Sequence, residues 1–339
     1  MDQAYAFKNR PEILALSSSG GAFLGIVNTF LNNMGTAPKV IYGASFDKEF
    51  HVKHSAATTL RECYPFCGSK YVRSDLDGCY QKILVDLMEG RSVLFTGTPC
   101  QVAAVKKYVG KNHGTSERLY TVDIACHGTP KPEFWRDYTA YLEKKEQAKL
   151  VKYSFRHKPS GWKGYPVYAE FSNGVKRINT ARVSSYMNLF RKNLLMNEGC
   201  FKCRYPGNFQ SDLTIADFWG VELCMPEIET KGGVSLILSH TEKGEEILSL
   251  LKAQCTDQEL VLEAVPGEEY LRYNRNLSEC TKRPEQYNEF WEDYQKFGME
   301  FVLKKYGGDN ILGRCKFYMK RFLRNTGMLA VIKKVLRKA

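Results

Sequence analysis

Four thiols sit where cysteine does chemistry. Cys100 lies in LFTGTPCQV (Leu94–Val102), just after a short apolar run. Thr98 suits a helix N-cap, and Pro99 suits the first helical position, where its missing N–H is not needed. Gln101 then completes a Thr-x-x-Gln capping box. Cys100 falls in the first turn, at the positive end of the helix dipole, which favours the thiolate that binds metals. Cys126 ends the next apolar run, TVDIACHGTP, with Thr129 as a second expected cap and Pro130 as the first residue of the following helix. Cys200 and Cys203 form a Cys-x-x-Cys pair in GCFKCRYPG, on a turn bounded by Gly and Pro. That spacing suits zinc, an iron–sulfur cluster or a redox dithiol. Zinc ribbons supply two such pairs, and CYPFC (Cys63, Cys67) has the wrong spacing for the second. A thioredoxin-type pair would enter a helix directly after a strand, whereas this one follows a helix and sits in a polar loop. One, one and two thiolates can make a cubane site; a zinc site and ordinary buried or free thiols are the alternatives. Cys224, Cys255, Cys280 and Cys315 stand isolated and read as buried or free thiols.

The elements that must position these thiols read as an α/β fold with mixed elements. SVLFTG, PCQVAAVKKYVG and RLYTVDIAC form strand, helix and strand, so a parallel β-α-β unit is expected over 93–126. Both single thiols then lie at the carboxyl edge of one sheet, where open α/β sheets bind ligands. Upstream, Ser17–Gly35 reads as a Ser/Gly loop opening an apolar helix. Lys39–Phe46 and Glu49–Ala56 read as paired strands, and CYQKILVDLMEG as a helix. Downstream, Tyr165–Ile178 predicts a hairpin with a type I′ turn at Asn173-Gly174. Asp212–Gly220 and Gly233–His240 predict strands, the second followed by a helix. We expect one domain over 1–300, with a soft internal boundary near 150, and a basic helical tail over 301–339.

At 339 residues and 43% hydrophobic, the chain can bury a substantial core. No apolar run is long enough to span a bilayer, and the first residues lack the apolar centre of a signal peptide. A cytoplasmic, reducing setting is therefore expected, where eleven cysteines point to metal or redox chemistry rather than disulfides. Eight of the twelve net positive charges lie in Cys315–Ala339, which contains no acid. The basicity thus belongs to the tail, and no nucleic-acid partner is expected. Apolar residues interleave with the tail's cations as in an amphipathic helix on anionic lipid, at the inner membrane face. A docked helix with a solvated basic face, or attraction to an acidic ferredoxin, would use the same pattern.

SSSGG, VIYGASF, GSKYVRS, VLFTGTPCQVAAVKKY, VDIACHGTPKPEFW, SFRHKPSGW, CFKCRY and SDLTIADFWG occur in this order between about residues 17 and 240. Together they resemble the coenzyme F420 hydrogenase/dehydrogenase beta-subunit family. The resemblance implies FAD and a [4Fe–4S] cluster, with Cys100, Cys126, Cys200 and Cys203 as cluster ligands. It implies a ferredoxin-like donor or partner subunit and a small-molecule hydride acceptor, deazaflavin F420 being one. Ser19, Gly20 and Gly21, at a helix start, can cradle a flavin pyrophosphate with backbone N–H groups. Ser69, Lys70 and Ser74 suit phosphate oxygens. Arg156 and Lys158 suit an anionic cofactor or substrate, with Trp162 as a stacking wall. His127 can hold a cluster sulfur or move a proton. Asp123 and Asp217 can orient loops or bind ribose. The chain departs from the family at Ala216, where Gly is usual, and at Glu198-Gly199. It also begins after the point where a ferredoxin-like segment would end, so a separate donor is expected. The rival readings are an electron-transfer subunit without its own catalysis and a zinc-stabilised accessory protein.

Overall fold

The computed structural model describes residues 3–110, 116–158, 162–163, 166–257 and 259–325, with backbone alone at 316, 317, 320, 321, 324 and 325. The chain divides into two compact units built from interleaved segments. The first comprises Met1–Pro132, Arg156–Tyr165 and Met196–Lys282, and the second Glu133–Phe155, Pro166–Leu195 and Arg283–Ala339. In chain order the strands are β1 (Gln3–Lys8), β2 (Lys39–Phe46), β3 (Val52–Ala57), β4 (Ser92–Gly97), β5 (Leu119–Ile124), β6 (Leu150–Ser154), β7 (Tyr168–Phe171), β8 (Lys176–Ile178), β9 (Leu213–Asp217), β10 (Ser235–Ser239) and β11 (Val261–Ala264).

The first unit holds a sheet in the order β11-β1-β10-β9-β5-β4-β2-β3. Its centre is parallel: β2 pairs with β4, β4 with β5, and β5 with β9. The flanks are antiparallel. A strand buried on both faces must be apolar at successive positions, and β4 is. Val93 and Phe95 pack against Ile83, Leu87, Val102 and Val105 on one side. Leu94 joins Val27, Phe30, Ile237 and Leu248 on the other. Helices Ala22–Asn33 and Glu242–Lys252 supply the second layer, and Cys79–Met88 and Pro99–Gly110 the first. Burying each such side chain contributes about 1.5–3 kcal/mol, which fixes the ends of β4 and β5. The expected parallel unit over 93–126 is present, with Val93 opposite Leu119 and Gly97 opposite Asp123.

The second unit carries the sheet β6-β7-β8 beside the helices Pro132–Glu146 and Ala181–Arg191. The hairpin is there, but its turn differs from expectation. Gly174 N–H bonds the Phe171 carbonyl, Phe171 N–H bonds the Val175 carbonyl, and only Gly174 takes positive φ (80°). This is a type I turn closed by a left-handed glycine, a three-residue loop, rather than type I′, which needs positive φ at both central residues. The helix after Cys126 also begins later than expected. It starts at Pro132, and Pro130 instead pairs with Met196 in an isolated bridge, so Thr129 is too far upstream to cap it. Two prolines offered a first position, and the chain uses the second. β1 was not foreseen: its Ala4 and Ala6 face one core cluster and Phe7 the other. Tyr165, within the expected hairpin span, and the tail beyond residue 325 lie outside the described residues.

Candidate functional site

β4 and β5 end side by side, and each delivers one thiol. Beyond Gly97, the capping arrangement at Thr98 forms only in half. Gln101 Oε1 accepts from the Thr98 N–H (3.0 Å) and hydroxyl (3.1 Å), while Gln101 N–H bonds the Thr98 carbonyl rather than its side chain. The helix starts as predicted at Pro99, leaving Cys100 exposed in the first turn, with Sγ 3.2 Å from Thr98 Oγ1. Gln101 also donates to Ser74 Oγ (2.8 Å), so Ser74 braces this turn.

Beyond β5, residues 125–131 carry no helix or strand beyond an isolated bridge at Pro130. The Cys-x-x-Cys pair lies on the short helical turn Glu198–Lys202 and is pinned to that segment by Asn197. The Asn197 N–H and Nδ2 both reach the Thr129 carbonyl, at 3.0 and 2.6 Å. The two segments are too close for a side chain at Gly128. Its φ is 116°, and a Cβ would stand 2.9 Å from Met196 Sδ and 3.4 Å from Cys200 Cβ. The contact aims two amides at sulfur. Gly128 N–H donates to Cys126 Sγ and Thr129 N–H to Cys200 Sγ, each at 3.4 Å. Donors of this kind stabilise thiolates and tune cluster potentials.

Cys126 lies within electrostatic reach of Cys100, Cys200 and Cys203, and Cys203 within reach of Cys100, Cys200 and Cys280. All four predicted ligands therefore come together. A fifth thiol, Cys280, joins them. Its S–H donates to the Cys200 carbonyl at 3.4 Å, so it is not the isolated cysteine that its sequence context implied. The next residue, Thr281, donates its hydroxyl to the His127 carbonyl. His127 is held over this edge, with Nδ1 3.1 Å from Asn276 Oδ1. Burial pushes the Cys126 thiol up to about 12, while the Gly128 N–H works the other way and the neighbouring thiols add to the rise. A multivalent cation is needed to keep such a group as thiolate. A zinc ion draws its four sulfurs to within about 4 Å of one another. Among the described residues no three His, Cys, Asp or Glu side chains converge on one ion. A cubane puts each ligand on a different iron and spreads them wider.

A second constellation joins the loop before helix Ala22–Asn33 to the other predicted cofactor residues. Gly20 is pressed between strands: a Cβ there would stand 2.3 Å from both the Phe7 carbonyl oxygen and the Ser235 nitrogen. Gly21 forms the helix N-cap at φ 82°. Ser19 donates to the Val234 carbonyl, while its own carbonyl accepts from Lys158 Nζ (2.8 Å). Ser69 reaches the same loop, donating its N–H to Ser18 Oγ at 2.9 Å. Lys70 Nζ donates to the carbonyls of Phe66, Cys67 and Gly68. Arg156 pairs with Asp217 at 2.5 Å, and Trp162 Nε1 donates to the other Asp217 oxygen at 3.3 Å. Trp162 stacks on Trp219, centroids 5.2 Å apart. Tyr71 senses both Arg156 and Asp217. Burial lowers Lys70 and Lys158 to about 8. Arg156 and Lys158 thus share the Asp217 carboxylate, while Lys70 senses Cys67. A diphosphate would balance the excess, and its charge would return the lysines to full protonation. The net positive charge of this group suits an anionic ligand.

Asp123 sits inside β5, opposite Gly97 of β4. It is wholly buried, accepts from Thr214 Oγ1 at 2.5 Å, and is raised to about 7 by that burial. An open cleft of about 430 Å³, lined by Lys106, Ser116, Asp212, Thr241 and Lys243, opens beside Leu119, the first residue of β5, away from the thiol edge.

No curated protein sequence matches the chain. Thirteen chains of known structure do. A chain of the xenon-derivatised F420-reducing [NiFe] hydrogenase complex from Methanosarcina barkeri is similar in fold, with a TM-score of 0.54 at 16% identity, over 88% of this chain and 94% of that one. The family profile for the C terminus of the coenzyme F420 hydrogenase/dehydrogenase beta subunit matches residues 90–260. That span holds Cys100, Cys126, Cys200 and Cys203, together with Arg156, Lys158 and Asp217, while Cys280 and the Ser/Gly loop lie outside it. The chain belongs to the coenzyme F420 hydrogenase/dehydrogenase beta-subunit family and is an oxidoreductase-type subunit.

Proposed function

We propose that the chain relays electrons from a ferredoxin-like donor, through a [4Fe–4S] cluster held by Cys100, Cys126, Cys200 and Cys203, to FAD and on to an organic hydride acceptor. The observation that carries this reading is the meeting of those four thiols at the joint carboxyl edge of β4 and β5, with two backbone amides aimed at two of the sulfurs. When bound, the cluster supplies one-electron steps and the flavin converts them to a two-electron transfer. The chain's own residues ligate, orient and screen. Asn197 and Gly128 hold the Cys-x-x-Cys turn against the Cys126 segment. Lys70, Lys158 and Arg156 neutralise the diphosphate, and the Trp162–Trp219 stack walls that region. His127, with its Nδ1 held by Asn276, would move a proton at the thiol edge.

Cys100 and Ile124 are exposed at that edge, which offers a donor protein an approach to the cluster. The same exposure supports a second reading, in which the chain passes electrons within a larger complex; the similar chain comes from such a hydrogenase complex. The family name suggests F420 as the acceptor. The test is an anaerobic preparation of the full chain and of Cys203→Ser. The parent protein should show broad visible iron–sulfur absorption and a flavin band, and the variant should lose the first. Unchanged iron in the variant would refute the ligand assignment. Reduction of F420 by the parent protein supplied with a reduced one-electron donor dye, and no other subunit, separates the enzyme from the relay protein.

A further inference from the structure

The last described helix, Ile311–Asn325, carries an exposed apolar face. Ile311, Leu312, Tyr318, Met319 and Phe322 are 79, 73, 59, 59 and 60% exposed. They recur at i, i+1, i+7, i+8 and i+11, which is one continuous stripe at helical period, and the exposed Cys315 at i+4 falls within it. Isolated exposed apolar residues are ordinary; five on one stripe are not. The rest of the helix sequence contains Arg314, Lys316, Lys320, Arg321 and Arg324 and no acid.

The helix is also anchored. Asn310 Oδ1 accepts from the Gly313 N–H at 2.7 Å and caps its start. Buried Asp309 accepts from Arg314 Nε (3.0 Å) and the Tyr141 hydroxyl (3.1 Å), with Arg182 nearby. The stripe is therefore presented on a fixed support. Among the described residues no helix is long and apolar enough to cross a membrane. An anchored helix with an exposed apolar stripe, and with five cations and no acid in the rest of its sequence, complements one surface: an apolar layer beneath a negatively charged skin.

We propose that Ile311–Asn325 lies flat on anionic phospholipid, with Ile311, Leu312, Met319 and Phe322 among the upper acyl chains and the cations at the phosphates. Each cation near such a surface contributes about a fivefold gain, and each buried side chain of this size at least about tenfold. The full chain should sediment with vesicles containing anionic phosphatidylglycerol and much less with neutral phosphatidylcholine, and salt should release it. M319E/F322E should reduce vesicle binding by at least about a hundredfold while leaving the far-ultraviolet circular dichroism unchanged, because both side chains are exposed. F322W should shift its emission to the blue on anionic vesicles.

Failure of the full chain to bind anionic vesicles at low salt would overturn the proposal. So would equal binding to neutral vesicles. Undiminished binding by M319E/F322E would mean that the cations act alone, as they would toward an acidic protein. An unmoved F322W emission would place the contact elsewhere in the chain. Self-association abolished by M319E/F322E, with no vesicle binding, would assign the stripe to a second copy of this chain.

Discussion

Gly128→Ala is the sharpest probe of how the thiol edge is built. The substitution adds one methyl where the Cys126 segment and the Cys-x-x-Cys turn touch. The backbone at φ 116° disfavours any L-residue, by about 1–3 kcal/mol. The new Cβ would then stand 2.9 Å from Met196 Sδ, and Met196 is fully buried and has little room to move. Overpacking of that kind costs about 1–3 kcal/mol more. Gly35→Ala is the matched control. It too has positive φ (47°), but nothing lies within 4 Å of its added Cβ, so only the backbone cost of about 1–2 kcal/mol applies. The difference between the variants, about 1–4 kcal/mol, corresponds to a Tm lower by roughly 2–16 °C for Gly128→Ala in a unit of this size. Scanning calorimetry of the metal-free, reduced proteins reads that gap. Iron content after reconstitution reads its consequence, because displacing Gly128 moves the amides that reach Cys126 and Cys200. Equal Tm and equal iron in the two variants would show that the two segments do not need to meet.

Three further outcomes follow from the same structure. Asp217→Asn leaves the buried Arg156 guanidinium without its carboxylate, so the urea midpoint should fall by the equivalent of about 3–5 kcal/mol; a loss below about 1 kcal/mol would mean that Arg156 is solvated. Asp123 has a folded pKa of about 7 against 3.8 for the free side chain. The unfolded chain therefore ionises first, and this residue's contribution to stability falls as pH rises from about 4 to 7. Asp123→Asn should consequently gain stability relative to the parent protein across that window, and urea melts on either side of it should diverge; a constant difference refutes the burial argument. Lys70 and Lys158 lose their protons near pH 8, so FAD affinity should weaken as pH rises through 8; fluorescence titration showing pH-independent affinity would remove them from the diphosphate site.

The sequence made the thiol edge legible because local rules agree there. Thr98-Pro99 starts a helix, glycines stop the preceding one, and the apolar runs of β4 and β5 are too short to be anything but buried strands. Where a local signal admits two structures, packing chose. Asn173-Gly174 serves type I′ and type I turns alike, and Pro130 and Pro132 both suit a first helical position. Cys280 was invisible for a different reason: it sits in no motif, and only the chain's return past Asn276 brings it to Cys200. Tyr71 and the Arg156–Asp217 pair join loops far apart in sequence, so no spacing could have linked them. β1 escaped because alternating small and aromatic residues make a weak strand signal, one that burial between β10 and β11 completes.

The central claim is that Cys100, Cys126, Cys200 and Cys203 hold a cubane cluster beside a flavin. The most direct measurement is the iron, sulfide and flavin content of anaerobically purified full-length chain, repeated on Cys200→Ser. One cubane's iron and sulfide and one FAD per chain, with the metal lost and the flavin kept in the variant, is the result predicted here. A single zinc per chain, or iron unaffected by Cys200→Ser, would contradict it.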